Sequence, residues 1–249
     1  MRRRNILITG ASSGLGEEMA RQFADNGHNL ALTARRTERL EKLRDDLLKA
    51  YPAITVVVRT LDVNDHDQVF EVFRSLDKEL DGLDRVIVNA GIGKGAPLGT
   101  GRFDANRDTL MTNLVAATAQ CEAALELFRA RNAGHLVVIT SMSALRGMPK
   151  TITAYAASKA GIAAVAEGLR MEMIGKPIKV SAIYPGYIAS EMNDRVAKAP
   201  LMTDTVTGVR SIVDAINKEK AKAYVPTWPY VPISYLMRFL PLPIVKRMI

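Results

Sequence analysis

Tyr155 and Lys159 are the residues best suited to do chemistry in this sequence, because they lie four positions apart in a stretch with helical character. Side chains at this spacing project from one face of a helix, which brings the lysine ammonium within reach of the phenol. A free tyrosine has a pKa of about 10, and a nearby positive charge lowers that pKa. The pair could therefore transfer a proton near neutral pH. The alternative is an ordinary exposed pair on an amphipathic helix, and so short a motif does not decide between the two.

A glycine-rich turn near the amino terminus joins a strand predicted over 5–9 directly to a helix predicted over 17–26. Glycines let a backbone turn tightly and approach a ligand, and a helix start offers unpaired N–H groups to a phosphate. The turn therefore predicts a dinucleotide site, with a glycine-rich turn that binds nothing as the alternative. The residues predicted to line the phosphates are Gly10, Ser12, Ser13, Gly14, Leu15 and Gly16.

Arg35 and Arg36 follow the second predicted strand, 29–33, where dinucleotide-binding folds select their cofactor. An acidic residue at this place binds the ribose hydroxyls of NAD, whereas arginine accommodates the 2′-phosphate of NADP. The sequence has two arginines and no acid there, and a guanidinium suits a phosphate. We therefore predict NADP as the cofactor. The alternative is that both arginines are solvated residues at a helix start.

Predicted strands and helices alternate along the chain, which predicts an α/β fold with a parallel sheet covered by helices on both faces. Further strands are predicted over 54–61, 85–88, 135–140, 178–184 and 223–225, and further helices over 37–48, 65–80, 108–130 and 155–173. Ligands bind beyond the carboxyl ends of such strands. The residues predicted to meet there, besides the glycine turn and the arginines, are Asp62, Val63, Asn89, Ala90, Gly91, Ser141, Pro185 and Gly186.

Two of the polar residues have open interpretations. Asp62 could cap its own turn, or it could accept a hydrogen bond from the adenine amine. Asn113 lies within the apolar pattern of its predicted helix, and a buried amide is costly unless it is hydrogen-bonded. Its side chain could lock the helix to a neighbouring backbone, or it could hold a water molecule.

The composition restricts the class of protein. The chain has 249 residues, of which 48% are hydrophobic, and this predicts one globular domain over 1–249. One cysteine and three scattered histidines exclude a disulfide framework, argue against a metal site and fit a reducing, cytoplasmic compartment. The net charge is +8, but the basic residues are spread along the chain and aromatics make up only 6%, so nucleic acid is not predicted as a partner. No signal peptide is predicted.

The motifs occur in the order that is typical of one family. Residues 9–16 read TGASSGLG and fit a TGxxxGxG cofactor motif, 89–91 read NAG, and Tyr155 with Lys159 fits YxxxK. Asn113, Ser141 and the Pro185–Gly186 turn complete the pattern. With these motifs the sequence resembles the short-chain dehydrogenase/reductase family over nearly the whole chain up to about residue 190. The resemblance implies a Rossmann-type sheet of about seven strands.

The resemblance also implies a catalytic tetrad of Asn113, Ser141, Tyr155 and Lys159. In this family Tyr155 would exchange a proton with the carbonyl or alcohol oxygen, and Ser141 would hydrogen-bond that oxygen. Lys159 would bind the nicotinamide ribose and favour the tyrosinate, while Asn113 would position a water that links Lys159 to solvent. Further contacts to the carboxamide would come from Ile188 and Ser190.

One spacing departs from the family pattern. The serine of most relatives lies thirteen residues before the tyrosine, but Ser141 precedes Tyr155 by fourteen and Ser143 precedes it by twelve. We favour Ser141 because it follows the predicted strand immediately, so that one extra residue in the loop 145–153 would explain the difference. Ser143 stays open as the alternative.

The end of the chain is where the substrate and partners would be determined. A substrate lid is predicted over about 187–210, with Met192, Val196, Leu201 and Met202 either lining an apolar pocket or making core contacts. The tail, 226–249, mixes aromatic, apolar and basic residues but has no run long enough to span a membrane. It could be an interfacial anchor, a subunit contact or a cover for the pocket.

We therefore predict an NADP(H)-dependent oxidoreductase that interconverts an alcohol and a ketone or aldehyde on an apolar substrate. The competing class is a non-catalytic NADP-binding redox sensor, against which the intact tetrad argues. The family resemblance also implies a homodimer or homotetramer. Its contacts would use the small-residue faces of the helices that bear Asn113 and Tyr155, namely Ala116, Ala117, Ala160, Gly161, Ala163 and Ala164.

Overall fold

Seven parallel strands form the centre of the structure, a computed structural model that describes residues 3–93, 95–189 and 201–248. The strand order is β3-β2-β1-β4-β5-β6-β7, so the direction of winding reverses between β1 and β4. The predicted α/β sheet of the Rossmann type is confirmed. The strands are β1 (Asn5–Thr9), β2 (Asn29–Ala34), β3 (Val56–Thr60), β4 (Arg85–Val88), β5 (Gly134–Ile139), β6 (Ile178–Pro185) and β7 (Lys222–Val225).

Helices cover both faces of the sheet. Successive residues of a strand point to opposite faces, and Ile6 and Ile8 accordingly pack in one core while Leu7 packs in the other. Strands buried on both faces read as continuous apolar runs, which is how the sequence marks them. The helices are α1 (Gly14–Asp25), α2 (Thr37–Ala50), α3 (His66–Glu79), α4 (Phe103–Leu110), α5 (Ala116–Arg131), α6 (Thr153–Glu172), α7 (Thr205–Asn217), α8 (Thr227–Phe239) and α9 (Leu242–Met248).

The helix predicted over 108–130 differs from the observed one. Helical structure begins at Phe103, and a wider π-helical turn, Met111–Val115, joins α4 to α5. The turn carries Asn113, whose side chain bonds to a neighbouring loop, and a tertiary contact of this kind gives no local signal in the sequence. π-turns inside helices are frequent at functional sites.

Helix α7 was not predicted, and its first residues fall within the predicted lid. The Asp204 side chain caps the helix by accepting a hydrogen bond from the Thr207 N–H at 2.9 Å. Val209, Ile212 and Ile216 recur at helical spacing and are buried in the core shared with α1. Residues from 205 onward are therefore structural, and residues 190–200 of the lid lie outside the described residues.

The small-residue faces predicted for subunit contacts divide in two. Ala116 and Ala117 are buried within the core of their own chain, because α5 turns these residues toward α3 and the sheet. Ala163 of α6 is likewise buried in that core, so the prediction that these three residues make a subunit contact is wrong. Ala160 and Ala164 on α6 are exposed, and Gly161 allows close approach of Leu114, whose Cδ1 would lie 2.9 Å from an added Cβ.

A buried polar chain crosses the amino-terminal edge of the sheet. Arg85 Nε donates to His135 Nδ1 at 2.9 Å, and His135 Nε2 lies 2.8 Å from Ser181 Oγ. Because arginine can only donate, His135 Nδ1 is unprotonated and Nε2 carries the proton. Burial, followed by the charge of Arg85, lowers the pKa of His135 well below its usual value. His135 is therefore a neutral structural residue in the folded protein.

Candidate active site

The glycine turn packs directly against the turn after β4. Gly10 has φ of +67°, and an added Cβ there would lie 2.8 Å from Ala90 Cα. An added Cβ at Gly16 would lie 2.2 Å from Gly10 O and 2.7 Å from Asn89 Nδ2. Only glycine fits these two places. The closeness brings the start of α1 to the point where the winding of the sheet reverses, which is where such folds bind ligands.

Thr9 and Asn89 hold the two turns together. The Thr9 hydroxyl accepts hydrogen bonds from the backbone N–H groups of Asn89 and Ala90, both at 3.1 Å. Asn89 Nδ2 in turn donates to Thr9 O at 2.9 Å. The Ser13 side chain does not cap α1, so it leaves the first N–H groups of that helix to another acceptor. This arrangement fits a dinucleotide pyrophosphate at Gly14, Leu15 and Gly16.

Arg36 lies over the glycine turn. Its Nε donates to Ser12 Oγ at 3.2 Å and its Nη2 donates to Ser13 Oγ at 2.5 Å. Arg35 is exposed immediately after β2. A guanidinium therefore stands beside the turn predicted to bind phosphate, and the helix α2 begins just beyond it.

Asp62 caps its own turn. Its Oδ1 accepts from Asn64 N at 3.0 Å and from Asn64 Nδ2 at 3.2 Å. Val63, the next residue, is buried in the core. The Thr112 hydroxyl donates to Asn64 Oδ1 at 3.2 Å, or accepts from that side chain if its amide is turned, and so links this turn to the π-helical turn. The first of the two interpretations of Asp62 thus describes its contacts, and a bond to adenine stays a prediction.

Asn113 locks the π-helical turn to the loop after β4. Its Oδ1 accepts from Ile92 N and its Nδ2 donates to Ile92 O, both at 2.8 Å. The residue is only 1% exposed, and Nδ2 also lies 3.3 Å from Ser158 Oγ. The side chain thus serves the structural role that the sequence left open. A water held by Asn113 stays a prediction.

Lys159 is buried beneath this loop. Its Nζ donates to Ile139 O at 3.0 Å, at the end of β5, and would lie 3.6 Å from a Cβ added at Gly91. The same Nζ lies 5.9 Å from the centroid of the Tyr155 ring. Burial lowers the pKa of Lys159 to about 8. Two of its three N–H donors are left over from the bond to Ile139.

Tyr155 differs from the sequence-based expectation in its pKa. Burial raises the pKa of its phenol, a hydrogen bond with Ser141 works against that increase, and Tyr187 adds to it. The sequence predicts a lowered pKa because it places a cation nearby. In the folded chain, desolvation opposes the charged form of both side chains. It therefore raises the pKa of Tyr155 and lowers the pKa of Lys159.

Ser141 lies two residues after β5, which ends at Ile139 and not at the predicted residue 140, and it begins a short 3₁₀ turn, Met142–Leu145. Its Oγ accepts from the Ser143 N–H at 3.1 Å and interacts with the Tyr155 phenol. Ser143 lies inside that turn. A second 3₁₀ turn, Lys150–Ile152, precedes α6 and lies within the loop predicted to hold the extra residue, and the choice of Ser141 over Ser143 stays a prediction.

The turn after β6 is held by α8. The Tyr230 hydroxyl accepts from Tyr187 N at 2.8 Å and donates to Leu201 O at 3.0 Å. A Cβ at Gly186 would lie 2.0 Å from the Tyr230 ring, so glycine is required there. Pro185 ends β6.

Ile188 points away from this site. Its side chain is buried against Gly208 in the core, so only its backbone is placed to meet a ligand. Ser190, Met192 and Val196 lie outside the described residues, whereas Leu201 is 55% exposed.

Thr9, Ile92, Tyr187 and Tyr230 were absent from the predicted site. Thr9 carries a sequence signal, since it precedes the glycine turn in the cofactor motif. Ile92 acts through its backbone, and Tyr230 comes from a helix far along the chain, so neither gives a local signal. Among the described residues no cluster of three metal-ligating side chains occurs, and no helix in that part of the chain has the length and apolarity to cross a membrane.

Comparisons with known proteins identify the family. The short chain dehydrogenase family matches residues 4–200. An uncharacterised oxidoreductase of Mycobacterium tuberculosis is 52% identical, with 98% of this chain and 97% of that protein aligned. The chain therefore belongs to the short-chain dehydrogenase/reductase family. It is an oxidoreductase with a fold that binds a nicotinamide cofactor.

Solved structures of low identity share the fold. A short-chain dehydrogenase from Sphingobium yanoikuyae in complex with NADPH is 24% identical, with a TM-score of 0.84 over 94% of this chain and 91% of that one. A short chain dehydrogenase/reductase from Burkholderia phymatum in complex with NAD is 19% identical, with a TM-score of 0.83 over 95% and 94%. The two neighbours carry different cofactors, so the fold alone does not select one.

Proposed function

We propose that the protein is an NADP(H)-dependent oxidoreductase that interconverts an alcohol and a ketone or aldehyde, working as a carbonyl reductase on apolar substrates. The observation that carries this proposal is the juxtaposition of Ser141, Tyr155 and Lys159 beside the glycine turn. The Ser141 hydroxyl interacts with the phenol, and the Lys159 ammonium lies 5.9 Å from the phenol ring. This is the set of groups that proton transfer to a carbonyl oxygen requires.

The residues of the rim would hold NADP(H) along its length. The pyrophosphate would bind the turn from Gly10 to Gly16, and Arg35 and Arg36 would bind the 2′-phosphate. The adenine would lie near Asp62 and Val63, and the chain from Asn89 to Gly91 would support the middle of the cofactor. Lys159 would bind the nicotinamide ribose, with Tyr155 beside it. The carboxamide would meet the stretch of Pro185, Gly186, Ile188 and Ser190.

The bound cofactor supplies or accepts a hydride, and the side chains manage the proton. During reduction Tyr155 donates its phenolic proton to the carbonyl oxygen, and the Ser141 hydroxyl donates a hydrogen bond to the same oxygen. The raised pKa of Tyr155 keeps that proton in place at neutral pH. Lys159, with a pKa of about 8, can return a proton to the tyrosinate. Asn113 keeps the loop at Ile92 in place over Lys159.

An apolar substrate is supported by the side chains around the rim. Leu98, Ile152, Tyr187 and Leu201 are all large, apolar or aromatic, and exposed. The loop after β4 meets the turn before α6, since a Cβ at Gly95 would lie 2.2 Å from Thr151 O. Tyr187 also acts on the pKa of Tyr155, and apolar side chains beside a few polar groups are typical of small-molecule sites.

A homodimer or homotetramer in the cytoplasm belongs to the same proposal. Exposed Ala160 and Ala164 give α6 a smooth outer surface on which a second helix could pack. The chain has one cysteine, Cys121, and it is a buried free thiol. Light scattering at micromolar concentration tests the assembly, and a monomer would contradict it.

The decisive experiment measures NADPH and NADH oxidation with a panel of ketones, aldehydes and quinones, for the wild type and Tyr155→Phe in parallel. We expect turnover with NADPH that is lost in the variant, while NADPH binding persists because the phenol contributes little to the affinity. Turnover that survives in Tyr155→Phe would contradict the assigned chemistry. Tight NADPH binding without any turnover would favour the redox-sensor alternative.

A further inference from the structure

The last two helices form an apolar and basic outer surface. Tyr230, Ser234 and Met237 of α8 and Val245 of α9 turn inward and are buried. The residues that face outward are large and apolar, and we call them together the tail surface: Trp228, Tyr235, Leu236, Phe239, Leu242 and Ile244. Trp228 is 78% exposed and Phe239 is 80% exposed, so nothing in the described chain covers them.

Helical spacing explains why these side chains share a surface. Tyr235 and Phe239 lie four positions apart on α8, with Leu236 between them on the same side. The inward residues Tyr230, Ser234 and Met237 repeat at the same spacing on the other side. The result is a helix with apolar residues on two faces, one packed against the core and one exposed to solvent.

The charged residues of the tail itself have one sign, while Glu167 of α6 shares a pocket with Arg238. From Lys220 to the end of the chain there are five basic residues and no acidic residue. Three of them, Arg238, Lys246 and Arg247, lie on α8 and α9 and are exposed. Arg238 Nη2 also donates to the Tyr224 hydroxyl at 3.1 Å, which fixes its position beside the apolar groups.

We propose that the tail surface binds the surface of a bilayer that contains anionic lipid. Tryptophan, tyrosine and phenylalanine would enter the boundary between headgroups and acyl chains, and the arginines and lysine would contact the lipid phosphates. A second copy of this chain fits less well. A two-fold contact between tail surfaces would set Arg238, Lys246 and Arg247 against their own copies, and residues 220–249 contain no acidic residue to pair with them.

The tail surface is tied mechanically to the active-site rim. Arg146, which follows the turn begun by Ser141, donates through Nη1 to the carbonyls of Met237 and Arg238, both at 2.9 Å. Tyr230 supports the turn after β6 from the inner side of the same helix. A bilayer bound here would lie near the mouth of the site and could deliver apolar substrates to it. This last consequence rests on the proposed function, whereas the binding itself does not.

The test is cosedimentation of the full chain with vesicles of phosphatidylcholine alone and of phosphatidylcholine mixed with phosphatidylglycerol. We expect binding to the mixed vesicles only. Each basic side chain near an anionic surface contributes about fivefold to affinity, so Lys246→Gln with Arg247→Gln should weaken binding about 25-fold. Trp228→Ala with Phe239→Ala should weaken it by about tenfold or more, because interfacial binding scales with buried apolar area.

Matched controls lie around the connection between the end of α6 and the start of β6, at the amino-terminal ends of the strands. Lys176→Gln with Lys179→Gln removes the same charge, and Met171→Ala with Ile174→Ala removes exposed apolar side chains. These pairs should bind mixed vesicles as the wild type does. All the substituted side chains are exposed, and circular dichroism confirms that each variant is folded.

Three outcomes would overturn the proposal. The wild type could fail to bind the mixed vesicles, the tail variants could bind them unchanged, or the control pairs could lose binding equally. A change of molecular mass by light scattering in the tail variants, without vesicle binding by the wild type, would assign the surface to a second copy. None of these experiments measures turnover or uses a cofactor. A failure of vesicle binding can therefore be distinguished from a failure of the proposed activity.

Discussion

Replacing Gly16 by alanine should disrupt the cofactor turn. The new Cβ would lie 2.2 Å from Gly10 O and 2.7 Å from Asn89 Nδ2. The nearer atom is backbone oxygen, which cannot rotate away, so α1 must shift outward from the turn after β4. Overpacking of this kind costs about 1–3 kcal/mol in the free energy of unfolding, and the backbone contact places this variant near the upper end.

The shift should weaken both forms of the cofactor alike. The pyrophosphate is common to NADPH and NADH, and its proposed partners are the N–H groups at the start of α1. Each hydrogen bond to a charged group contributes about 1.5–3 kcal/mol, so loss of the equivalent of two should raise Kd about 100-fold or more. Quenching of protein fluorescence measures the Kd, and urea denaturation measures the free energy of unfolding.

Gly168→Ala is the matched control. Gly168 lies within α6, and an added Cβ there meets no atom within 4 Å. Alanine should therefore stabilise the protein by about 0.5–1 kcal/mol and leave cofactor binding unchanged. If Gly16→Ala bound NADPH and NADH within about threefold of the wild type, the glycine turn would not be the phosphate site.

Three further changes test the serine, the arginine and the buried histidine. Ser141→Ala should reduce kcat by about 100-fold or more, as loss of an oxyanion donor does, while Ser143→Ala keeps most activity in the same assay. Arg36→Ala should raise the Kd of NADPH about tenfold and leave that of NADH unchanged, because only NADPH carries the 2′-phosphate. Between about pH 7.5 and about pH 5.5 the wild type should lose about 1.4 kcal/mol more stability than His135→Gln in urea denaturation.

The sign of the histidine effect follows from its lowered pKa. The unfolded chain binds a proton near the ordinary histidine pKa of 6.5, while the folded chain resists it, so stability is full above that pH and is lost as the pH falls below it. Equal losses in the wild type and His135→Gln would contradict this. Loss of activity in Ser143→Ala but not in Ser141→Ala would assign the catalytic role to Ser143. An equal increase in the Kd of NADPH and NADH in Arg36→Ala would show that Arg36 does not select between the two cofactors.

The strands were predictable because a strand that is buried on both faces has a continuous run of apolar residues in the sequence. β1 and β4 have the predicted ends, Asn5–Thr9 and Arg85–Val88. The helix α7 was missed because its apolar residues follow a segment interpreted as a lid, and only packing against α1 shows which role they have. The π-helical turn was equally hidden, since the bond between Asn113 and Ile92 that accompanies it is tertiary.

The residues of the candidate site likewise divide into those with a local sequence signal and those placed by tertiary contacts. Residues next to strand ends, such as Ser141 and Asn89, were found because the ends of parallel strands meet at one edge. Tyr230 was not found, because it reaches the turn after β6 from the tail. Ile188 was assigned to the cofactor by motif, but its side chain belongs to the core, which a motif cannot distinguish from a backbone contact.

Burial changes what the spacing of Tyr155 and Lys159 can be taken to mean. Proximity alone suggests a tyrosinate base, yet desolvation raises the pKa of Tyr155 and lowers that of Lys159 to about 8. At neutral pH the phenol therefore keeps its proton and is an acid, as carbonyl reduction requires. The tyrosinate needed for alcohol oxidation becomes accessible only as the pH rises. Under the proposed activity, the protonated phenol would act as the acid of carbonyl reduction near neutrality, and the tyrosinate formed at higher pH would act as the base of alcohol oxidation.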